Sequence, residues 1–306
     1  MRPAALLGCF ALLAAAAGGQ GTVPWQRIET PVSESFSRVQ IDASDNVWLL
    51  GDRIHHRRAD GTWAEPAALK GENWTDMVVI RADLMYGVTG LGEFFDVRRA
   101  GIVSRFAAQP SCTSYKVVMV ARGRTVAAGC PYYSGLAMWR TDGSAAFSVM
   151  KVAVQDLSLI GEDDVLAVGM DGVFRARRGG EPVFLRRDER GHSLLWADRT
   201  HIVTASDAGA FMHASWDADT GKVGAWTTHT APRDVSLNRL WGTRADNLFA
   251  VGRAGVILHF DGDAWVEMPS GTTADLHTIT GGAQATWVAG DAGTLLRLSS
   301  ERRPVQ

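Results

Sequence analysis

The chain has 306 residues, 46% of them hydrophobic, with 31 Lys and Arg against 33 Asp and Glu and a formal net charge of −2. That is enough apolar material for a substantial core in one or two domains, and it excludes a disordered chain. Lysines occur only at Lys70, Lys116, Lys151 and Lys222, and the arginines are scattered among acids, which argues against nucleic acid as a partner.

The first segment, MRPAALLGCFALLAAAAGGQG, has one positive charge, an apolar run from Ala4 to Ala17 and small residues after it. This is the pattern of a secretory signal peptide, with cleavage expected between Ala17 and Gln20, so residues 1–19 are assigned to the leader. LLGC, ending at Cys9, resembles a lipoprotein box, but using it leaves too short an apolar segment. The run is also too short to span a bilayer, and no later stretch approaches eighteen apolar residues. The mature chain, residues 20–306, is therefore expected to be exported to the periplasm or the extracellular space, without a transmembrane segment, as a monomer.

From there the chain repeats. Strand-like runs read NVWLLG to Gly51, DLMYGV to Val88, TVAAG to Gly129, DVLAVG to Gly169, IVTAS to Ser206, LFAVG to Gly252 and TWVAG to Gly290. Successive intervals are 37, 41, 40, 37, 46 and 38 residues. Most of these runs lead through a short turn into a second apolar run, as in GVFRA, GAFMH, GVILHF and GTLLRL, which is the pattern of a hairpin. Trp25, Trp63, Trp226 and Trp265 each stand eleven residues before Phe36, Trp74, Leu237 and Leu276, placing an outer strand before each next inner one. Four short strands per unit of about forty residues predict one domain, an all-β seven-bladed β-propeller. The seventh unit stops at GTLLRLSSERRPVQ without an outer Trp strand, and VPWQRIET supplies one at the other end. Trp25 to Thr30 is therefore expected to pair with Leu295 to Ser299, closing the ring and removing an exposed edge.

LWGTRADNLFAVGRAGVILHFDGDAW, followed by ITGGAQATWVAGDAGTLLRL, resembles the repeats of secreted bacterial propellers related to the photosystem II stability and assembly factor. The resemblance covers roughly residues 235 to 298. It implies a propeller fold and a binding or assembly role. It carries over no catalytic residue.

Residues that could bear chemistry are weighed against that repeat. Nine of the eleven tryptophans fall in repeat columns, so packing between blades accounts for them before any sugar-stacking role does, and core placement is expected for Trp139 and Trp216 as well. His56, His213 and His259 share one third-strand position on different blades, which rules out convergence on one metal ion. No metal or cofactor is therefore assigned. The turns between second and third strands carry Asp52, Asp171, Asp207 and Asp291, together with Arg53 and Arg253. Asp is a common turn former, because its side-chain carboxylate accepts from nearby backbone N–H groups; the sharper alternative is a shared face whose carboxylates hold a cation or a basic peptide. DADTG, Asp217 to Gly221, resembles a calcium loop or a quinoprotein repeat, but a turn between third and fourth strands suffices.

Cys112 and Cys130 are the cysteines left after the leader, and the two connections that hold them leave blade three on one face. A disulfide between them is expected in an oxidising compartment, with a stabilisation of about 3 kcal/mol. The same loops hold Tyr115, Tyr132 and Tyr133, whose rings suit either a recognition patch or a cover for the bridge. The reading these residues support is a non-enzymatic propeller that binds a protein, peptide or glycan on this loop face. The alternative is a sialidase-type glycosidase. RRADGTW and HFDGDAW do not match its Asp-box spacing, however, and no tyrosine follows Tyr133.

Overall fold

The computed structural model describes residues 25–299, apart from 65, 67–72, 82, 90–92, 99–100, 108–117, 131–134, 143–145, 150–151, 188–192 and 283. These residues form seven four-stranded antiparallel sheets. From inner to outer strand, blade one comprises Arg38–Ile41, Val47–Leu50, Ile54–Arg57 and Trp63–Ala64, and blade two Trp74–Arg81, Leu84–Thr89, Glu93–Arg98 and Gly101–Ala107. Blade three comprises Val118–Arg122, Thr125–Cys130, Gly135–Arg140 and Ala146–Val149, and blade four Asp156–Gly161, Asp164–Gly169, Gly172–Arg177 and Val183–Arg187. Blade five comprises Leu194–Ala197, His201–Ala205, Ala210–Trp216 and Val223–Thr230, and blade six Leu237–Arg244, Asn247–Gly252, Ile257–Phe260 and Trp265–Glu267. Blade seven takes Leu276–Gly281, Ala285–Gly290 and Leu295–Ser299 from one end of the chain and Gln26–Arg27 from the other.

Second strands are buried over most of their length because each lies in a blade covered on both faces. In blade one, Val47 and Leu49 point toward blade seven, while Trp48 and Leu50 point toward blade two. The buried side chains fall into seven clusters, each shared by two neighbouring blades, so the core is a ring of seven interfaces rather than one central mass. Trp139 and Trp216 are buried in two of these interfaces, as expected.

The glycine that marks most repeats has a local cause. At Gly169, Gly252 and Gly290 a Cβ atom would overlap the backbone carbonyl oxygen of Ala153, Ser236 or Asp275, in the link that enters the same blade. Register moves one marker: Trp74 faces Thr89, so the equivalent position in blade two is Thr89 and not Val88. Trp63 and Trp265 open outer strands as expected, but Trp226 lies within Val223–Thr230 rather than at its start.

Ring closure is the expected one, over a shorter ladder. Gln26 faces Arg297 and Arg27 faces Leu296, and the Ile28 amide donates to the Leu295 carbonyl at 2.8 Å. Trp25, just outside the strand, is buried against the edge of Phe249 at 6.2 Å. Deleting residues 20–30 is expected to open blade seven and cause aggregation or a large loss of stability. Trp25→Ala alone should cost about 3–5 kcal/mol in denaturant melts, and an unchanged midpoint for both variants would exclude this closure.

Candidate functional site

The turns between second and third strands and the links between blades emerge on one face. Here the backbone is tied across loops. Leu237 N–H donates to the Asp207 carbonyl at 2.7 Å, Arg253 N–H to Ser236 at 2.9 Å, Asp291 N–H to Asp275 at 2.9 Å and Gly293 N–H to Glu34 at 2.8 Å. Ala254 and Ala292 hold φ of 53°, a left-handed turn conformation usually left to glycine, and Asp275 Oδ1 accepts from the Ala254 amide at 2.8 Å.

On this face Asp52, Arg53, Asp207 and Arg253 are exposed, while Asp171 and Asp291 are half-buried. Asp291 faces inward to His277 Nε2 at 2.7 Å, and that bond, with one from Ser35, holds its carboxyl below the usual range. Beside it, Glu34 Oε1 lies 2.6 Å from Nε2 of buried His55 and occupies the space a side chain at Gly51 would take. The acidic turns thus share a face, but no three His, Cys, Asp or Glu among the described residues are grouped to hold a metal ion. In DADTG, Asp217 Oδ1 accepts from the amides of Asp219 at 2.8 Å and Thr220 at 3.2 Å, so its first aspartate caps a hairpin turn. Cys130 ends a buried second strand. Its expected partner Cys112 and the expected contacts Tyr115, Tyr132 and Tyr133 lie outside the described residues.

A second feature, absent from the sequence reading, fills the central channel. Arg38, Asp76, Asp156 and Arg239 come from the inner strands of blades one, two, four and six. Arg38 makes a bidentate pair with Asp76, with Nε to Oδ1 at 2.5 Å, and Asp76 Oδ1 also accepts from the Met77 amide at 2.7 Å. Asp156 accepts from the Leu157 amide at 2.9 Å and the Leu195 amide at 3.0 Å, and Arg239 Nη1 lies 3.3 Å from its Oδ1. Burial pushes the Asp156 carboxyl up and the Arg239 guanidinium down; Arg38 suffers the same desolvation, but Asp76 carries it above its ordinary value. Among the described residues, two cations and two anions thus meet where water is scarce. The signal was in the sequence, since each of the four stands thirteen residues before its blade's marker once Thr89 replaces Val88.

A third feature lies where blade five meets the opposite face of blade six. His201, His213 and His229 occupy three adjacent strands of blade five, and they line a groove of about 700 Å³ with Phe260, Arg244 and Asp246 of blade six. His56, His213 and His259 share one register position on three different blades, facing Trp48, Val203 and Phe249. What sequence spacing alone concealed is that His213 meets His229 of its own blade, with ring centroids 4.5 Å apart. The Trp265 indole N–H donates to His213 Nε2 at 3.4 Å, which fixes a neutral ring with its proton on Nδ1. Burial, then the neighbouring His229 and His201, push the His213 pKa down to about 4.

Comparison with known proteins places this build among solved propellers. No family model matches the chain, and no curated protein does. Among solved structures, a catalytically inactive virginiamycin B lyase from Staphylococcus aureus with quinupristin has a TM-score of 0.72 at 11% identity, covering 90% of this chain and 99% of the other. YCF48 bound to D1 peptide has a TM-score of 0.66 at 16% identity, over 95% of this chain and 100% of the other. YCF48 from Cyanidioschyzon merolae has a TM-score of 0.68 at 14% identity, over 90% and 99%. The likeness is one of fold. At these identities it assigns no site.

His213 gives a pH signature. An unfolded histidine titrates near 6.5, so between that value and about 4 the unfolded chain holds the extra proton. Stability should therefore fall as pH drops through this window. His213→Gln should flatten that part of the profile, read as the difference between urea midpoints of the two proteins at pH 7.5, 5.5 and 4.5. Parallel profiles would show that His213 is not held neutral.

Proposed function

We propose that this protein is a non-enzymatic recognition propeller that binds a protein or peptide segment on the face carrying the turns between second and third strands. The observation that carries the reading is the chain of backbone hydrogen bonds that ties the turns of blades five, six and seven to the links beside them. Loops fixed before a partner arrives lose little conformational entropy on binding, which favours affinity. The turns of this face, that of blade one included, present Asp52, Arg53, Asp207 and Arg253, of both signs, to solvent. A groove of about 570 Å³ beside Ala254, Met268 and Thr272 adds a concave seat at the rim of blade six. YCF48, of the same build, has been solved with a bound peptide, which supports the class of partner. A virginiamycin B lyase has a similar fold, so the test separates binding from turnover.

Export through the leader, and the pairing of Cys112 with Cys130, belong to the same proposal. Protein purified from an exporting host without reductant should expose no free thiol on denaturation. Two labelled cysteines per mature chain would refute the bridge.

Peptide and glycan arrays probed with the purified protein are expected to give peptide hits that survive Tyr132→Ala and Tyr133→Ala less well than wild type. Arg253→Glu with Asp207→Lys should also weaken them. Losses of about 1–3 kcal/mol are expected if these are anchors, with thermal midpoints little changed. Hits on the glycan array alone would replace a peptide by a sugar. Consumption of a hit ligand would overturn the non-enzymatic reading.

A further inference from the structure

Below the charged layer of the channel lies a cavity of about 230 Å³, walled by the inner strands of blades three to six. Arg239, from the charged layer, and Arg122, which is exposed at the hairpin leading to the second strand of blade three, both line it. Trp196, Trp241, Leu157 and Ser158 supply much of the rest, and no acidic residue is among the described lining.

The two arginines of the charged layer are not equally served. Arg38 is held by both oxygens of Asp76. Arg239, among the described residues, has one ion contact at 3.3 Å, to an Asp156 oxygen that already accepts from the Leu157 amide. A guanidinium has five N–H donors in a planar fork that matches a carboxylate. Those of Arg239 border the cavity, so a second anion there would add to its bonding. The walls narrow the choice. Trp196 donates its indole N–H to the Gly242 carbonyl at 2.9 Å, which fixes its ring, and Trp241 lines the same space. Apolar and aromatic surface below a cation suits a flat organic body better than a bare inorganic ion. The volume lies under the roughly 300–1,000 Å³ of drug-sized sites, which limits the guest to one small ring or side chain.

We propose that the channel cavity bounded by Arg239, Arg122, Trp196 and Trp241 is a binding site for a carboxylate borne on a small flat apolar group. The carboxylate lies against Arg239, its ring lies among the tryptophans and leucines, and Arg122 at the mouth draws the anion in. The guest is either a free aromatic acid or the terminal carboxylate of a polypeptide, both of which present the same chemistry. This site is separate from the loop face, and its test does not depend on the partner proposed there.

Calorimetric titration of the full chain at pH 7.5 with benzoate, and with benzamide as its neutral counterpart, tests the proposal. Benzoate should bind saturably and benzamide at least about ten-fold more weakly, since a charge-assisted pair is lost. Arg239→Gln should weaken benzoate by about ten-fold or more, and Arg122→Gln by a few-fold with a shallower salt dependence. N-acetyl-phenylalanine binding more tightly than its amide would point to a chain terminus. Benzoate binding without N-acetyl-phenylalanine would point to a free acid. Should Arg239→Gln fail to fold, crystals of the unaltered protein with 4-bromobenzoate decide: an anomalous peak between Trp196 and Trp241 supports the site, and no peak in the channel overturns it. Equal affinity for benzoate and benzamide would likewise overturn it.

Discussion

The structure depends on a short ladder between residues far apart in the chain, Gln26 and Arg27 with Leu296 and Arg297. A seven-bladed ring has seven interfaces only if blade seven is complete. Without that outer strand Leu295–Ser299 would present unpaired backbone groups at an edge, and Trp25 would leave the apolar cluster it shares with Phe249 and Leu296. Six of the seven interfaces join blades that follow one another in sequence, whereas the seventh packs blade one against blade seven.

Closure also explains what the centre must do. Seven inner strands meet around an axis that side chains have to fill or leave wet. Among the described residues, two arginines and two aspartates meet there, with the carboxylates bonded to backbone amides. Such a layer contributes less to stability than apolar packing of the same volume would, because four charges lose water. What it adds is polarity at the axis, and within it Arg239 has one ion contact among the described residues.

Much of the fold was legible because the repeat is enforced by geometry. Gly169, Gly252 and Gly290 recur where the incoming link crosses the second strand, and the doubly covered second strands leave runs such as LFAVG that stand out at a period near forty. The missing outer strand at the end of the chain told where the first residues belong. Blade two misled the alignment by one residue because Thr89 stands where glycine does elsewhere, so the slot no longer announced itself. That slip concealed the shared offset of Arg38, Asp76, Asp156 and Arg239. The histidines of blade five were concealed for a different reason. His213 and His229 meet through hairpin register, and a turn of unmarked length between two strands leaves that register open to a sequence reader. Asp52, Asp207 and Arg253 stand in turns between second and third strands because connectivity alone puts them there.

The ladder that closes blade seven also sets an order of events in time. Residue 26 is made early and residue 297 late, so the first strand must wait, unpaired, while six blades take shape behind it. During synthesis the growing arc carries a strand-hungry segment at its start and a half-built sheet at its end. Two such chains close together could exchange these segments, each completing the other's ring. Dilution, or a helper that holds the early strand until the late one arrives, therefore decides between a closed monomer and an interlocked pair.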